Sequence, residues 1–210
     1  MNPPDSTSSA PRIDPSPDVT RAARETLLGQ RGLVVWLYGL SGAGKTTLAT
    51  ALTRLLHAEG RYTVLLDGDI LRTGLNQGLG FSATDRTENI RRAAEVARLF
   101  ARTGAIVICA FITPAQTMRT LARQIVGDPD FLEVHLACSF AECERRDVKG
   151  LYAKARAGGV PLFTGRDSAF ESPEQPDVVL DTENQPIAFL VDRLAAIVRD
   201  RCRLTAGPNA

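Results

Sequence analysis

The octapeptide Gly39-Leu40-Ser41-Gly42-Ala43-Gly44-Lys45-Thr46 constrains the fold more than any other stretch of this chain. It fills every fixed position of the pattern G-x-x-x-x-G-K-[ST], a loop that cradles phosphate. An apolar, β-prone run at 33–38 precedes it and a helical pattern at 47–59 follows, so the motif sits in the strand–turn–helix setting it requires. Glycines let the backbone curl until its N–H groups converge on phosphate oxygens. The following helix turns its positive end to the same anion. In this arrangement Lys45 reaches the β- and γ-phosphates, and the Thr46 hydroxyl is the candidate Mg²⁺ ligand.

The rest of the chain alternates strands and helices. Strands are expected at 33–38, 63–66 (ending at Asp67), 106–110, 131–137 and 178–180. Helices are expected at 44–59, 71–77, 83–102, 115–126, 141–146 and 186–199. In the long helical pattern of 83–102, Ile90, Ala94, Ala97 and Phe100 recur at three and four residues and make one buried face. Near-continuous apolar strands separated by helices predict a parallel sheet covered on both faces, with ligands beyond the strand carboxyl ends. Residues 19–203 are read as one domain, between a tail at 1–18 and a frayed end at 204–210. The tail holds five of the twelve prolines and four serines, a composition that predicts disorder. Its acidic residues argue against a transit peptide.

Charge excludes some partners. Twenty-five basic residues against twenty-four acidic ones leave a net charge of +1, so neither nucleic acid nor a membrane surface is expected as the main partner. No apolar run is long enough to span a bilayer. Cys109, Cys138, Cys143 and Cys202 lack metal-site spacing, which predicts reduced thiols and a cytoplasmic setting.

Other residues extend the site. Asp67-Gly68-Asp69 ends the second strand, where one carboxylate can take a proton from an attacking hydroxyl and either can help hold Mg²⁺. An Asp-Gly turn with a helix cap explains the same residues. Arg72, Asn76, Phe81, Arg86 and Asn89 follow, suited either to clamping an anion or to a solvated helix start. Residues 147–170 are basic and rich in small side chains, including Lys149 and Lys154. This stretch reads as a flap that closes over phosphates, or as an ordinary surface helix and loop.

With these residues in view, the chain resembles the adenylyl-sulfate kinase family over about residues 21–200. The landmarks are Gly39–Thr46, Leu66-Asp67-Gly68-Asp69, the stretch 74–92 with Gly80-Phe81-Ser82, the Phe111-Ile112-Thr113-Pro114 turn, 147–158, Phe163-Thr164-Gly165 and Leu180-Asp181-Thr182. The resemblance implies a three-layer α/β P-loop kinase fold: a five-stranded parallel sheet with helices on both faces and a lid. It implies ATP and adenylyl sulfate as substrates, Mg²⁺ as cofactor, a homodimer, and phosphoryl transfer to the ribose 3′-hydroxyl in sulfate activation. By motif match, Arg72, Arg86 and Asn89 bind the phosphosulfate and ribose side, and Phe81 and Phe163 sandwich the adenine. Asp69 is the base and Asp67 its neighbour, Lys149 and Lys154 belong to the lid, and Thr182 lies near the ATP adenine. Thr113 stands where the family has a serine often described as a phosphorylated intermediate, and it keeps the hydroxyl. Ala115 and Gln116 replace a common aromatic residue and arginine, removing a charge near the second substrate, with Arg166 as a candidate replacement. These departures leave open a different nucleotide conjugate as acceptor. A nucleotide-binding regulatory subunit is the alternative from another class, opposed by the presence of Lys45 and Asp69.

Overall fold

A computed structural model of the chain describes residues 19–147, 150–156, 164 and 169–204. Five strands, β1 (Leu33–Tyr38), β2 (Thr63–Asp67), β3 (Ile106–Phe111), β4 (Phe131–Ala137) and β5 (Val178–Asp181), form one sheet in the order β2-β3-β1-β4-β5. Every pairing is parallel, and β1 lies at the centre with Leu33 opposite Ile106 on one side and Val34 opposite Phe131 on the other. All six β1 side chains are buried, which is why this strand reads as an unbroken apolar run rather than an alternating one.

Helices cover both faces. Leu33, Val35 and Leu37 pack with α2 (Lys45–Ala58) and with α8 (Ile187–Arg201), while Val34, Trp36 and Tyr38 pack with α4 (Ala83–Ala101) and α5 (Gln116–Val126). Numbering in chain order, the remaining helices are α1 (Arg21–Leu28), α3 (Gly68–Arg72), α6 (Phe140–Arg146) and α7 (Leu151–Arg156). In α2 the buried Leu48, Leu52 and Leu56 recur every fourth residue, and Leu190, Leu194 and Val198 do the same in α8. No helix among the described residues is long and apolar enough to cross a membrane.

Most expected elements end within two residues of the observed ones. Three differ. Helix α1 is new: its buried residue is Glu25, whose carboxylate accepts from the Gly32 amide at 2.9 Å, while Arg21 pairs with Asp130. The short helix expected at 71–77 starts at Gly68 and stops at Arg72 because the Asp67 side chain caps it through the Asp69 amide, and the chain then turns through residues 73–78. On α4, Phe100 is 36% exposed, and Ala93 and Ala101 complete the buried face instead. Tail 1–18 and residues 205–210 lie outside the described residues.

Candidate active site

The phosphate loop leaves the carboxyl end of β1 and enters α2. Gly39, Gly42 and Gly44 take φ of 155°, 81° and 90°, and Gly44 is the residue preceding the first turn of α2. At Gly42 space as well as conformation demands glycine, since a Cβ there would lie 2.9 Å from the Cys143 carbonyl of α6. Lys45 Nζ donates to the Gly39 and Leu40 carbonyls at 2.9 and 2.6 Å, holding its ammonium against the loop. Ala43 is buried in the core beneath it.

Thr46 connects this loop to β2. Its hydroxyl donates to Asp67 Oδ2 at 2.7 Å, and Asp67 Oδ1 accepts from the Asp69 amide at 2.9 Å. Asp67 is therefore a helix cap, as the turn explanation of the triplet requires, and at the same time a hydrogen-bond partner of the phosphate loop. The basic segment makes its own contact with the loop. Asp147, at φ 23°, caps α7 through the Tyr152 and Ala153 amides, and Tyr152 Oη donates to the Ser41 carbonyl at 2.7 Å. Burial, with Cys143 beside it, raises the Tyr152 pKa, so the phenol stays a donor. Lys154 is exposed on α7. Lys149, Phe163 and Arg166 lie outside the described residues.

Across the cleft, Arg72 and Arg86 converge on Phe81, their guanidinium carbons 4.4 and 5.7 Å from its ring centroid. Arg72 Nη1 donates to the Leu79 and Gly80 carbonyls, and Arg86 Nε to the Phe81 carbonyl. Burial lowers the pKa of Arg72, and burial together with Arg72 lowers that of Arg86. Two partly desolvated like charges favour an anion between them. Phe81 itself is 50% exposed, an open aromatic face flanked by cations. Asn89 is buried and accepts from Asn76 Nδ2 at 3.0 Å.

The third wall is the turn after β3. Thr113 takes φ 44°, a conformation that is a genuine outlier for a β-branched residue. Its hydroxyl accepts from the indole Nε1 of Trp36 at 3.0 Å, and Thr113 is 1% exposed. Arg119 of α5, wholly buried, donates to the Thr113 carbonyl. Gln116 faces Arg119, while Ala115 packs against the core, and neither lines the cleft. Their side chains thus lie outside the lining of this cleft among the described residues.

These walls enclose one cleft of about 460 Å³. It brings together Lys45, Thr46, Asp67, Asp69, Arg72 and Phe81, and also Arg86, Asn89 and Thr113. Thr182 is not part of its lining; it follows β5, where its amide and hydroxyl both donate to the Ala137 carbonyl. Sequence reasoning missed Trp36, Arg119 and Tyr152 as parts of the site. Tyr152 had a signal, lying inside the basic segment; the other two read as core and as solvated helix.

A glycine loop at the end of the central strand, a Lys-Thr pair opening the next helix and a carboxylate pair lining the same cleft define a P-loop kinase. Residues 31–181 match the family model described as adenylylsulphate kinase. The adenylyl-sulfate kinase of Bacteroides fragilis is 54% identical over 183 residues, 87% of this chain and 91% of that protein. That of Phocaeicola vulgatus is 51% identical over 180 residues, 86% of this chain and 88% of that protein. The solved structure of a Mycobacterium tuberculosis APS kinase in complex with AMPPNP and APS superposes with a TM-score of 0.78 at 44% identity, covering 80% of this chain and 98% of that one. The chain belongs to the adenylylsulphate kinase family.

Proposed function

We propose that this chain transfers the γ-phosphate of ATP to the ribose 3′-hydroxyl of adenylyl sulfate, giving 3′-phosphoadenylyl sulfate and ADP. The observation that carries the reading is the single cleft in which Lys45, Thr46 and Asp69 face Phe81 with its two arginines. A phosphate site opposite an aromatic face flanked by cations fits a nucleotide donor and a planar base bearing anionic groups. Loop amides and Lys45 hold the transferring phosphate. Arg72 and Arg86 clamp the phosphosulfate, Asn89 the ribose, and Phe81 stacks on the acceptor adenine, with Phe163 as its expected second face. Asp69 accepts the proton of the attacking hydroxyl, oriented by its neighbour Asp67. Lys149 and Lys154 belong to the segment that covers the phosphates, and Thr182 to the ATP adenine side.

The donors at the loop suit Mg²⁺. A hydroxyl and a carboxylate 2.7 Å apart are hard oxygen groups, and few protein ligands are needed because Mg²⁺ keeps waters and phosphate oxygens. Thr46 would hold it directly and Asp67 directly or through water. When bound, it supplies neutralisation of charge on the phosphate oxygens. The Thr113 hydroxyl accepts from Trp36, and the reading takes transfer as direct and in line, a route that needs no phosphothreonine.

The working form is a cytoplasmic homodimer of one domain, residues 19–203, which light scattering tests. Free thiols at all four cysteines suit a reducing compartment. The test of function is coupled ADP release with ATP and Mg²⁺, comparing adenylyl sulfate with AMP, adenosine and cytidine conjugates. Fast turnover confined to adenylyl sulfate is expected; turnover confined to another acceptor overturns the assignment.

A further inference from the structure

Arg119 is a fully buried cation whose reason for being buried is local. Guanidinium carries five N–H donors, and here each bond found for them ends close by. Nε and Nη2 donate to Gln116 Oε1 at 3.1 and 2.9 Å, Nη1 to the Thr113 and Pro114 carbonyls at 3.1 and 3.3 Å, and Nη2 also to the Glu171 carbonyl at 3.1 Å. The group lies over the Tyr38 ring at 5.1 Å and near Phe170 at 6.0 Å. Its ion pair, with Glu133, is long at 3.9 Å, and Glu133 is held more closely by Arg123. The turn is tied to the same place twice more: Glu171 N donates to the Pro114 carbonyl at 2.9 Å, and Gln116 N to Glu171 Oε2 at 2.5 Å.

A buried charge is a poor device for stability alone, since well-packed apolar residues usually serve as well. This one sits behind Thr113, whose left-handed backbone persists only if its surroundings over-determine it. Ile112, Thr113 and Pro114 line the acceptor side of the cleft. We infer that Arg119, oriented by Gln116, is a positioning residue that fixes the Ile112–Thr113–Pro114 turn against residue 171 and thereby sets the seat of the acceptor. This rests on the cleft reading above. It gives Gln116 a role that an arginine at that position would not fill, because a second cation cannot accept from Arg119.

The test uses Gln116→Ala, Gln116→Glu and Arg119→Lys in the full chain. Gln116→Ala and Arg119→Lys raise the KM for adenylyl sulfate roughly tenfold or more, with the KM for ATP and acceptor-independent ATP hydrolysis within about twofold of wild type. Gln116→Glu retains an acceptor and restores the wild-type KM. A KM for adenylyl sulfate that stays within about twofold in both disrupting variants, or one that rises together with the KM for ATP, overturns the inference. Should wild type itself fail on adenylyl sulfate, the functional reading falls. Hydrogen exchange at the Gln116 and Glu171 amides then decides the inference separately: faster exchange in Gln116→Ala and Arg119→Lys supports it, and unchanged exchange ends it.

Discussion

Thr113→Val separates what the Thr113 hydroxyl does from what its shape does. Valine keeps the branched Cβ, and so keeps the backbone strain at φ 44°, but offers Trp36 no acceptor. Trp36 is fully buried, so its N–H would be left unpaired, at a cost of about 1–3 kcal/mol. For a domain of this size each kcal/mol lowers Tm by about 2–4 °C, which places the expected drop at roughly 2–12 °C. Thr113→Ser retains the acceptor and removes one methyl group, worth about 0.8 kcal/mol or less. Trp36 is the single tryptophan of the chain, so near-UV circular dichroism reports on this one contact while the same sample is melted. A valine variant that melts with wild type and keeps its indole band would refute the pairing, as would a serine variant as damaged as valine. The variant also addresses the chemistry. Direct transfer leaves substantial turnover in Thr113→Val, whereas a phosphothreonine route leaves none.

Three further outcomes are expected. Asp69→Asn lowers kcat by about 10²–10⁴ with little change in the KM for ATP, and a kcat close to wild type in steady-state assays removes Asp69 as the base. Burial pushes the Cys143 and Cys202 thiols up to about 12 and raises that of Cys109, while Cys138 is partly exposed. Maleimide at neutral pH therefore labels Cys138 first, and mass spectrometry showing early labelling of Cys143 would contradict this packing. Burial and Arg119 hold the His135 imidazole below its ordinary 6.5, so the native state disfavours its protonation. The unfolded chain takes up that proton more readily, so this contribution is intact above about pH 6.5 and is lost as pH falls below it. His135→Phe, which preserves the ring contacts with Tyr38 and Phe170, flattens that slope in melting curves; an unchanged slope would exclude His135 as its source.

Legibility in the sequence followed the physics of burial. The strands were readable because a parallel sheet with covered faces needs apolar runs, and β1 is one from Leu33 to Tyr38. The phosphate loop was readable because glycine is required where side chains have no room, as at Gly42. Helix α1 was not, since its buried contact is a carboxylate and it presents no apolar stripe. Arg119 was equally invisible: a cation at helical spacing looks solvated, and only the return of residues 170 and 171 covers it. The two contacts of Asp67 could not be separated from one dimension because they coexist, one carboxylate oxygen capping α3 and the other accepting from Thr46. Phe100 misled through periodicity alone, one position short of the true edge of the face.

The strand order carries a consequence for how the molecule registers its two ligands. The phosphate loop hangs from β1, hydrogen-bonded on both sides and the hardest strand to release, whereas Asp67 ends β2 at the rim of the sheet and Asp69 and Arg72 follow it. Local opening starts at rims and reaches a central strand only with the collapse of the whole sheet. A ligand held by the phosphate loop thus falls on the part of the fold that opens last and is felt as a rise in global stability, while one held by Arg72 steadies a part that opens by itself. The same pocket therefore spans two levels of the stability hierarchy, with Asp69, the proposed base, on the looser one.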